Sequence, residues 1–497
     1  MGLRRRRNEG RDDYGRPLTT EAPQPPSRSG GAVTSITDAP RSKDGTQRLL
    51  EATDLAAWNA SMKGDSDVLP WLTEFRLLRG YTRELAEAVW AATDPVAVEE
   101  VVVPLSRETH RYAHLLGAPT YLRLFGPVLA VAERLEAVRV PSSIATAARY
   151  SPNRSRGRIV QAGAYDRWDE GLARITGAFP YVLRLDLATF FPSLTPEIIH
   201  AALAPFGRSV ADLTIDELTR TGIRGLPVGG VPARLIAEAI LHPLDSALQR
   251  LGRQHVRALD DMAIGVTSHE DAEALIVQVA EIVRPLELNK SKTKILPAAP
   301  AHKIPGDDAS EVARHLLAQL SPDRVLLACT LGRLRREIPR WERMKRQRWI
   351  CLLVDAVVRL RVCVPQILRF IETLMPGTDG PQWENLSCLL DSPEPLIRAS
   401  AARFLSRNGR DVRAQLTRLV VADKFALVRR EAIFGLVRLD AKAEVAGLLR
   451  GTPITELDRS AWIVAAGVFG LALPFALGTP YQRLLFRAAR EHSAREV

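Results

Sequence analysis

Cysteine is scarce in this chain of 497 residues: there are four, Cys329, Cys351, Cys363 and Cys388, all in a late segment. None forms a C-x-x-C pair or has a histidine at metal-ligand spacing, so they read as buried free thiols and exclude a disulfide scaffold. No G-x-x-x-x-G-K-[ST] loop occurs, and an ATPase of that kind is not supported. The nine histidines are scattered. Neither His110 with His114 nor His242 has the partners of a zinc or nucleophilic site, and they read as structural. Long apolar runs are also lacking. Ala461 to Gly478 just reaches the ~18 residues of a spanning helix, but Gly467, Gly470 and Pro474 interrupt it and Arg459 and Arg483 bracket it. Two short buried helices are expected there instead, and no membrane partner. No apolar stretch follows Arg4 to Arg7, so a secretory signal is absent and a cytoplasmic protein is expected.

What is present is an ordinary globular balance, 46% hydrophobic and 25% charged, in a length that suits two to four domains of ~100 to 200 residues. Lysine and arginine exceed aspartate and glutamate by 68 − 57 = 11. A surplus of that size bears on partners rather than fold, and polyanions are the first expectation.

Residues 1 to 45 hold five prolines, six glycines and one aromatic, Tyr14, too little apolar surface to offset ordering; a basic tail is expected. From about Thr46 to Val138 the apolar spacing is mostly helical. Then β-branched runs appear at Tyr181 to Leu187, His255 to Ala258 and Met262 to Val266, with a basic stretch from Arg149 to Val160. Helical patterns lie between them at Pro196 to Ala204, Pro232 to Arg250 and Ser268 to Val283. The mixture predicts an α+β domain over 46–305. Beyond it strand signals vanish, and 306–497 reads as all-α. There Leu396-Ile397-Arg398, Ala401 and Leu405 recur as Leu427-Val428-Arg429, Ala432 and Leu436, each displaced by 31 residues. The repetition resembles a HEAT-like helical array.

Four segments carry chemistry. Leu183 to Phe191 is an apolar strand ending in Asp186 and followed by Phe190-Phe191, and a strand-end carboxylate is well placed to hold a hard cation. Gly225-Leu226-Pro227-Val228-Gly229-Gly230 is a turn-rich loop leading into a helix. Asp260-Asp261 sits between two β-type runs, at a hairpin tip, where alternation aims one of the two at any ion that Asp186 holds. Leu286 to Lys294 brings Lys290, Lys292 and Lys294. Read singly, each is bland: Asp186 reads as well as an acid capping the helix that begins near Thr195, and Asp260-Asp261 as a solvated turn. In this order they resemble the palm of a reverse transcriptase, over about Tyr150 to Pro297, with Arg257, Ala237-Glu238 and Leu241-His242-Pro243-Leu244-Asp245 as supporting matches.

The resemblance implies a fingers and palm fold and DNA synthesis by two-metal nucleotidyl transfer. Asp186 and Asp260 would be the main ligands of two Mg2+ ions, with Mn2+ as a substitute, supported by Asp261 and the carbonyl of Leu187. Phe191 would lie under the sugar and favour deoxynucleoside triphosphates. Val228 and Gly229 would line the nucleotide, and Lys292 would approach the triphosphate. Phe190 reads as core, and Arg154, Arg156 and Arg158 are candidates for a phosphate grip. Val228 stands where templated viral enzymes have glutamine, and Ala258 where an aromatic usually precedes the acidic pair. With the helical C-terminal region, these departures look like the bacterial abortive-infection and defence-associated reverse transcriptases, some of which resemble protein-primed, untemplated synthesisers of single-stranded DNA. The alternatives are an RNA-templated, retron-like enzyme and a non-catalytic nucleic-acid-binding scaffold. Assembly with further copies of the chain is left open.

Finally, Arg333 to Arg348 contains eight Lys or Arg against two Glu, 8 − 2 = +6, interleaved with Trp341 and Trp349. It reads equally as a nucleic-acid groove built on Arg336, Arg340, Trp341, Lys345 and Arg348, or as a thumb-like helix with a solvated outer face and core tryptophans.

Overall fold

The computed structural model describes residues 43–62, 69, 72–91, 95–104, 110–156, 158–228, 230–298, 309–319, 324–335, 337–360, 363–376, 383–494 and 497. The tail expected over residues 1–45 lies outside them up to residue 42, and the first helix begins at Lys43.

That helix, Lys43–Met62, packs on the Ala118–Val138 helix through small residues one turn apart. Ala52, Ala56 and Ala60 are buried, and a Cβ at Gly126 would lie 2.5 Å from Thr53 Oγ1. Side chains at i and i+4 share one helix face, so this alanine spacing lets the two backbones approach closely. Thr73–Leu77 and Thr82–Ala91 complete the predicted helical N-terminal region.

One feature of that region departs from the expectation. Strands β1 (Val98–Pro104) and β2 (His110–Leu116) form an antiparallel hairpin. Val101 and Val103 are fully buried on one face of β1, the period-two burial of a strand. A second hairpin pairs β3 (Tyr150–Asn153) with β4 (Arg158–Val160).

The central sheet has four antiparallel strands in the order β6-β7-β5-β8, from β5 (Tyr181–Leu185), β6 (His255–Ala258), β7 (Asp261–Val266) and β8 (Lys294–Pro297). Alternation gives it two buried faces. Leu183, Leu185, Met262, Ile264 and Val266 enter the main core. Val182, Val256 and Ala263 pack with Ile175 of the Ala164–Ala178 helix in a smaller cluster. Gly265, opposite Val182, is on that second face, where a Cβ would stand 2.3 Å from the Phe179 ring; only a missing side chain leaves the ring its place. The Val231–Arg250 helix packs into the main core. The whole is mixed α+β, mostly helical, with small antiparallel sheets.

After β8 the described residues are helical or irregular. The 31-residue repetition of sequence is also a repetition of structure, in the helices Pro395–Arg407 and Ala426–Arg438. Leu396, Ile397, Ala401 and Leu405 are buried, as are Leu427, Val428, Ala432 and Leu436. Arg398 donates to the carbonyls of Ser392 and Pro393 and pairs with Asp423. Arg429 donates to those of Asp423 and Lys424 and pairs with Asp458.

These helices are tied back to the N-terminal region. Buried Arg430 pairs with buried Glu74, and the Glu99 carboxylate of β1 accepts from Ala426 N at 2.6 Å and Leu427 N at 2.8 Å, capping a helix N-terminus. Ala461 to Gly478 is not two helices. A single helix, Glu456–Phe469, ends where Gly470 turns left-handed at φ +63°, and the chain then runs irregularly to the Pro480–Arg490 helix. Glycine stops a helix readily because it lacks the Cβ that disfavours that conformation. No helix among the described residues is long and apolar enough to cross a membrane.

Candidate active site

The sheet register assembles the acids. Leu185, the last residue of β5, pairs with Met262 of β7, so Asp186 emerges beside Asp261, the first residue of β7. Asp260 sits at the tip of the β6–β7 turn, between the paired Ala258 and Asp261. Asp186 is buried at 4% exposure, Asp260 is half-buried and Asp261 is exposed. Leu259, directly before Asp260, at φ +59°, and Thr189, three residues beyond Asp186, at φ +43°, hold the left-handed backbone that L-residues resist. Such strain, of order ~1–2 kcal/mol each, persists where surrounding packing enforces it.

The Leu286 to Lys294 element zips against the strand end. Ala188 N donates to Glu287 O at 2.8 Å and Asn289 N to Asp186 O at 2.8 Å. This pair of bonds leaves the Leu187 carbonyl uninvolved. Side chains follow the backbone: Asn289 Nδ2 donates to Asp186 Oδ2 at 3.0 Å, and Lys292 Nζ to Asp186 Oδ1 at 2.9 Å.

Electrostatics follow from this crowding. Burial, with the neighbouring Asp261 and Asp186 charges, pushes the Asp260 carboxyl up to about 6. Burial would lower the Lys292 ammonium, but its bond to Asp186 and the charges of all three aspartates outweigh that and raise it. An all-oxygen, anionic donor set held together by one cation suits a hard divalent ion. As the side chains stand, no group of three or more His, Cys, Asp or Glu among the described residues is arranged to hold a metal. Lys292 and Asn289 each bond one Asp186 oxygen, and an ion loaded there would drive the Lys292 ammonium to withdraw by charge repulsion. Its side chain is 62% exposed and has room to do so.

Around the acids, Phe190 is buried and Phe191 half-buried, with ring centroids 5.4 Å apart. The Gly225 loop docks on Phe191: Leu226 N donates to Phe191 O at 2.9 Å. Gly225 has φ +79°, and a Cβ there would fall 2.5 Å from that same oxygen, so the contact requires glycine. Val228 is half-buried at the far side of this loop, and Gly229 lies outside the described residues.

Other expected residues are not brought to the acids. Arg158 is half-buried on β4, in a sheet separate from that of the aspartates. Arg154 pairs with Asp54 at 2.7 Å and lies over Trp58, and the Arg156 side chain is outside the described residues. Arg340, Lys345 and Arg348 are exposed, and Arg336 is outside the described residues. Trp341 corrects the groove reading. It is 6% exposed, stacks on buried Trp349 at 5.6 Å and carries Lys345 Nζ 4.4 Å over its ring. A base has no free face to stack on there, and both tryptophans belong to the core.

Sequence reasoning missed the extent of a buried ionic network behind the turn. Arg257, Glu238, Asp245 and His255 are all at or below 2% exposure. Arg257 alone donates to both Asp245 and Glu238, and Arg139 reaches Glu238 at 2.6 Å. Against a burial that works the other way, Arg257 holds Asp245 below the usual carboxylate range. The signal was present as charged residues at core positions of a helix that otherwise reads apolar. Compared with known proteins, the chain matches no family model and no curated protein.

Proposed function

We propose that this protein is a reverse-transcriptase-type polymerase that adds deoxynucleotides to a growing 3′ end, with β5–β8 and their helices as its palm and a HEAT-like helical region after it. The observation that carries this is the meeting of Asp186, from the end of β5, with the Asp260-Asp261 turn, beside a lysine that bonds the first acid. Bound at these carboxylates, Mg2+ or Mn2+ would lower the barrier to attack by a 3′-hydroxyl and neutralise charge on the leaving pyrophosphate.

The chain's own residues do the rest. Asp186 and Asp260 supply the negative oxygens, and Asp261 adds charge from the exposed side. Lys292, leaving Asp186, is within reach to meet a triphosphate as a point charge. Phe191 closes the space beside the sugar, braced by the Gly225 loop. Positioning and electrostatics carry most of phosphoryl-type transfer. The exposed Arg340, Lys345 and Arg348 suit the backbone of a nucleic acid, bound without tryptophan stacking. A role in defence against phage, by abortive infection, rests on the resemblance of the motifs.

Purified protein, Mg2+ and labelled deoxynucleotides test the reading, with and without added RNA or DNA template. Product without template supports untemplated synthesis; synthesis abolished by ribonuclease supports a templated, retron-like enzyme; no incorporation under any condition leaves a nucleic-acid-binding scaffold. Phe191→Val should admit ribonucleotides, raising their use relative to deoxynucleotides by about tenfold or more, the discrimination that ~1–3 kcal/mol of steric contact supports. Unchanged discrimination in an active Phe191→Val enzyme would remove Phe191 from that role.

A further inference from the structure

Arg257 makes more bonds than its charge balance requires. Its side chain is fully buried on β6, between two carboxylates of the Val231–Arg250 helix. Nε and Nη2 donate to the two Asp245 oxygens at 2.8 and 2.5 Å. Nη1 and Nη2 donate to the two Glu238 oxygens at 3.2 and 2.8 Å. Glu238 also receives Arg139 at 2.6 Å, and Asp245 lies 3.3 Å from His255 Nε2. Two acids and two guanidinium groups already balance. Nη1 nonetheless makes a further bond, at 3.2 Å, to the carbonyl of Leu259.

Leu259 is the strained residue of the turn, at φ +59°, and its carbonyl begins the peptide that carries Asp260. The backbone of Arg257 is fixed as well: its N–H donates to Ile144 O at 2.8 Å, and its carbonyl accepts from Thr146 N at 2.9 Å. We infer that Arg257 is a positioning residue for Asp260. A planar guanidinium, clamped by two helix carboxylates, holds the Leu259 carbonyl and so keeps the turn in the left-handed conformation from which Asp260 would join Asp186 in holding an ion.

The inference rests on the proposed nucleotidyl-transfer reading and extends it to a residue that touches neither metal nor nucleotide. Lysine cannot replace it, because a single ammonium does not present the five forked donors that engage Asp245, Glu238 and Leu259 together. A residue acting only on stability would lower the melting temperature and leave the metal affinity of folded protein unchanged.

The test titrates full-length protein with Mn2+ alone, following free ion by electron paramagnetic resonance, with circular dichroism to confirm folding. Arg257→Lys should weaken Mn2+ binding by about tenfold or more, the usual effect of losing a residue that orients a ligand. The triple variant Arg257→Met/Glu238→Gln/Asp245→Asn removes Arg257 together with both carboxylates it bridges, leaves Arg139 its pair with Glu136 at 3.0 Å, guards against misfolding of the single variant, and should weaken binding as much. Mn2+ affinity within twofold of the parent, in either folded variant, overturns the inference. In that event, weakened binding in Asp260→Asn leaves the polymerase reading standing, whereas parent-like binding in Asp260→Asn removes that reading and this inference with it.

Discussion

Asp260→Asn should abolish magnesium-dependent incorporation of deoxynucleotides while making the metal-free protein more stable. The loss should be about 10³-fold or more, since a catalytic cation contributes several kcal/mol and each ~1.4 kcal/mol is tenfold in rate. The gain comes from the same carboxylate. Burial and the Asp261 and Asp186 charges push Asp260 up to about 6 from its ordinary 3.8. In the window between those values the unfolded chain releases its proton while the folded chain keeps it, so stability falls as pH rises through the window. Above about 6 the full cost is borne, about 1 to 2 kcal/mol after allowing for partial exposure. Asparagine removes it.

Melting curves check the sign. At pH 7.5 the metal-free variant should melt a few degrees above the parent, and below pH 4 the two should converge. Magnesium should raise the melting temperature of the parent, as any ligand selective for the folded state does, and leave that of the variant unchanged. A variant that melts lower at pH 7.5 would show that Asp260 is held by favourable contacts and not crowded against its neighbours. The opposition of stability and activity at one side chain is characteristic of sites built to bind an absent charge.

The second large effect concerns the tie between the two ends of the chain. Glu74→Ala should destabilise the protein by about 3–5 kcal/mol, because it leaves the Arg430 guanidinium buried without its counter-charge. Arg430 and Glu74 have side-chain exposures of 3% and 1%, and the carboxylate keeps the arginine charged against a burial that would lower it. The paired replacement Glu74→Leu/Arg430→Met should recover most of that loss, since well-packed apolar pairs often match a buried ion pair. Urea denaturation of parent, single and double variants measures both. A single variant within about 1 kcal/mol of the parent would mean that Arg430 is satisfied elsewhere, for example by the Leu457 carbonyl to which it also donates.

Much of the central sheet was legible because its strands are β-branched and short and its acids stand at strand ends. Tyr181 to Leu187 and Met262 to Val266 announce strands from composition alone. Their adjacency does not follow from composition, and only the ordered resemblance brought Asp186 to Asp260. The bond from Lys292 to Asp186 joins residues 106 positions apart, and no local pattern encodes it. The β1–β2 hairpin was missed although Val101-Val102-Val103 is a strand-forming run, because helical spacing on both sides absorbed it. Trp341 shows a different limit. An aromatic among cations fits a groove and a core equally well, and the contact with Trp349, itself packed on Phe370, decides between them. Apolar residues beyond Gly470 looked helical, yet glycine and proline there favour irregular chain that still packs.

Arg398 and Arg429 each fasten the loop before their own helix and reach an acid in the segment that follows. Because these fastenings are supplied unit by unit, a tandem duplication of one such stretch would bring its own clasp with it. The stack is therefore open to lengthening or shortening over evolution by whole multiples of about 31 residues.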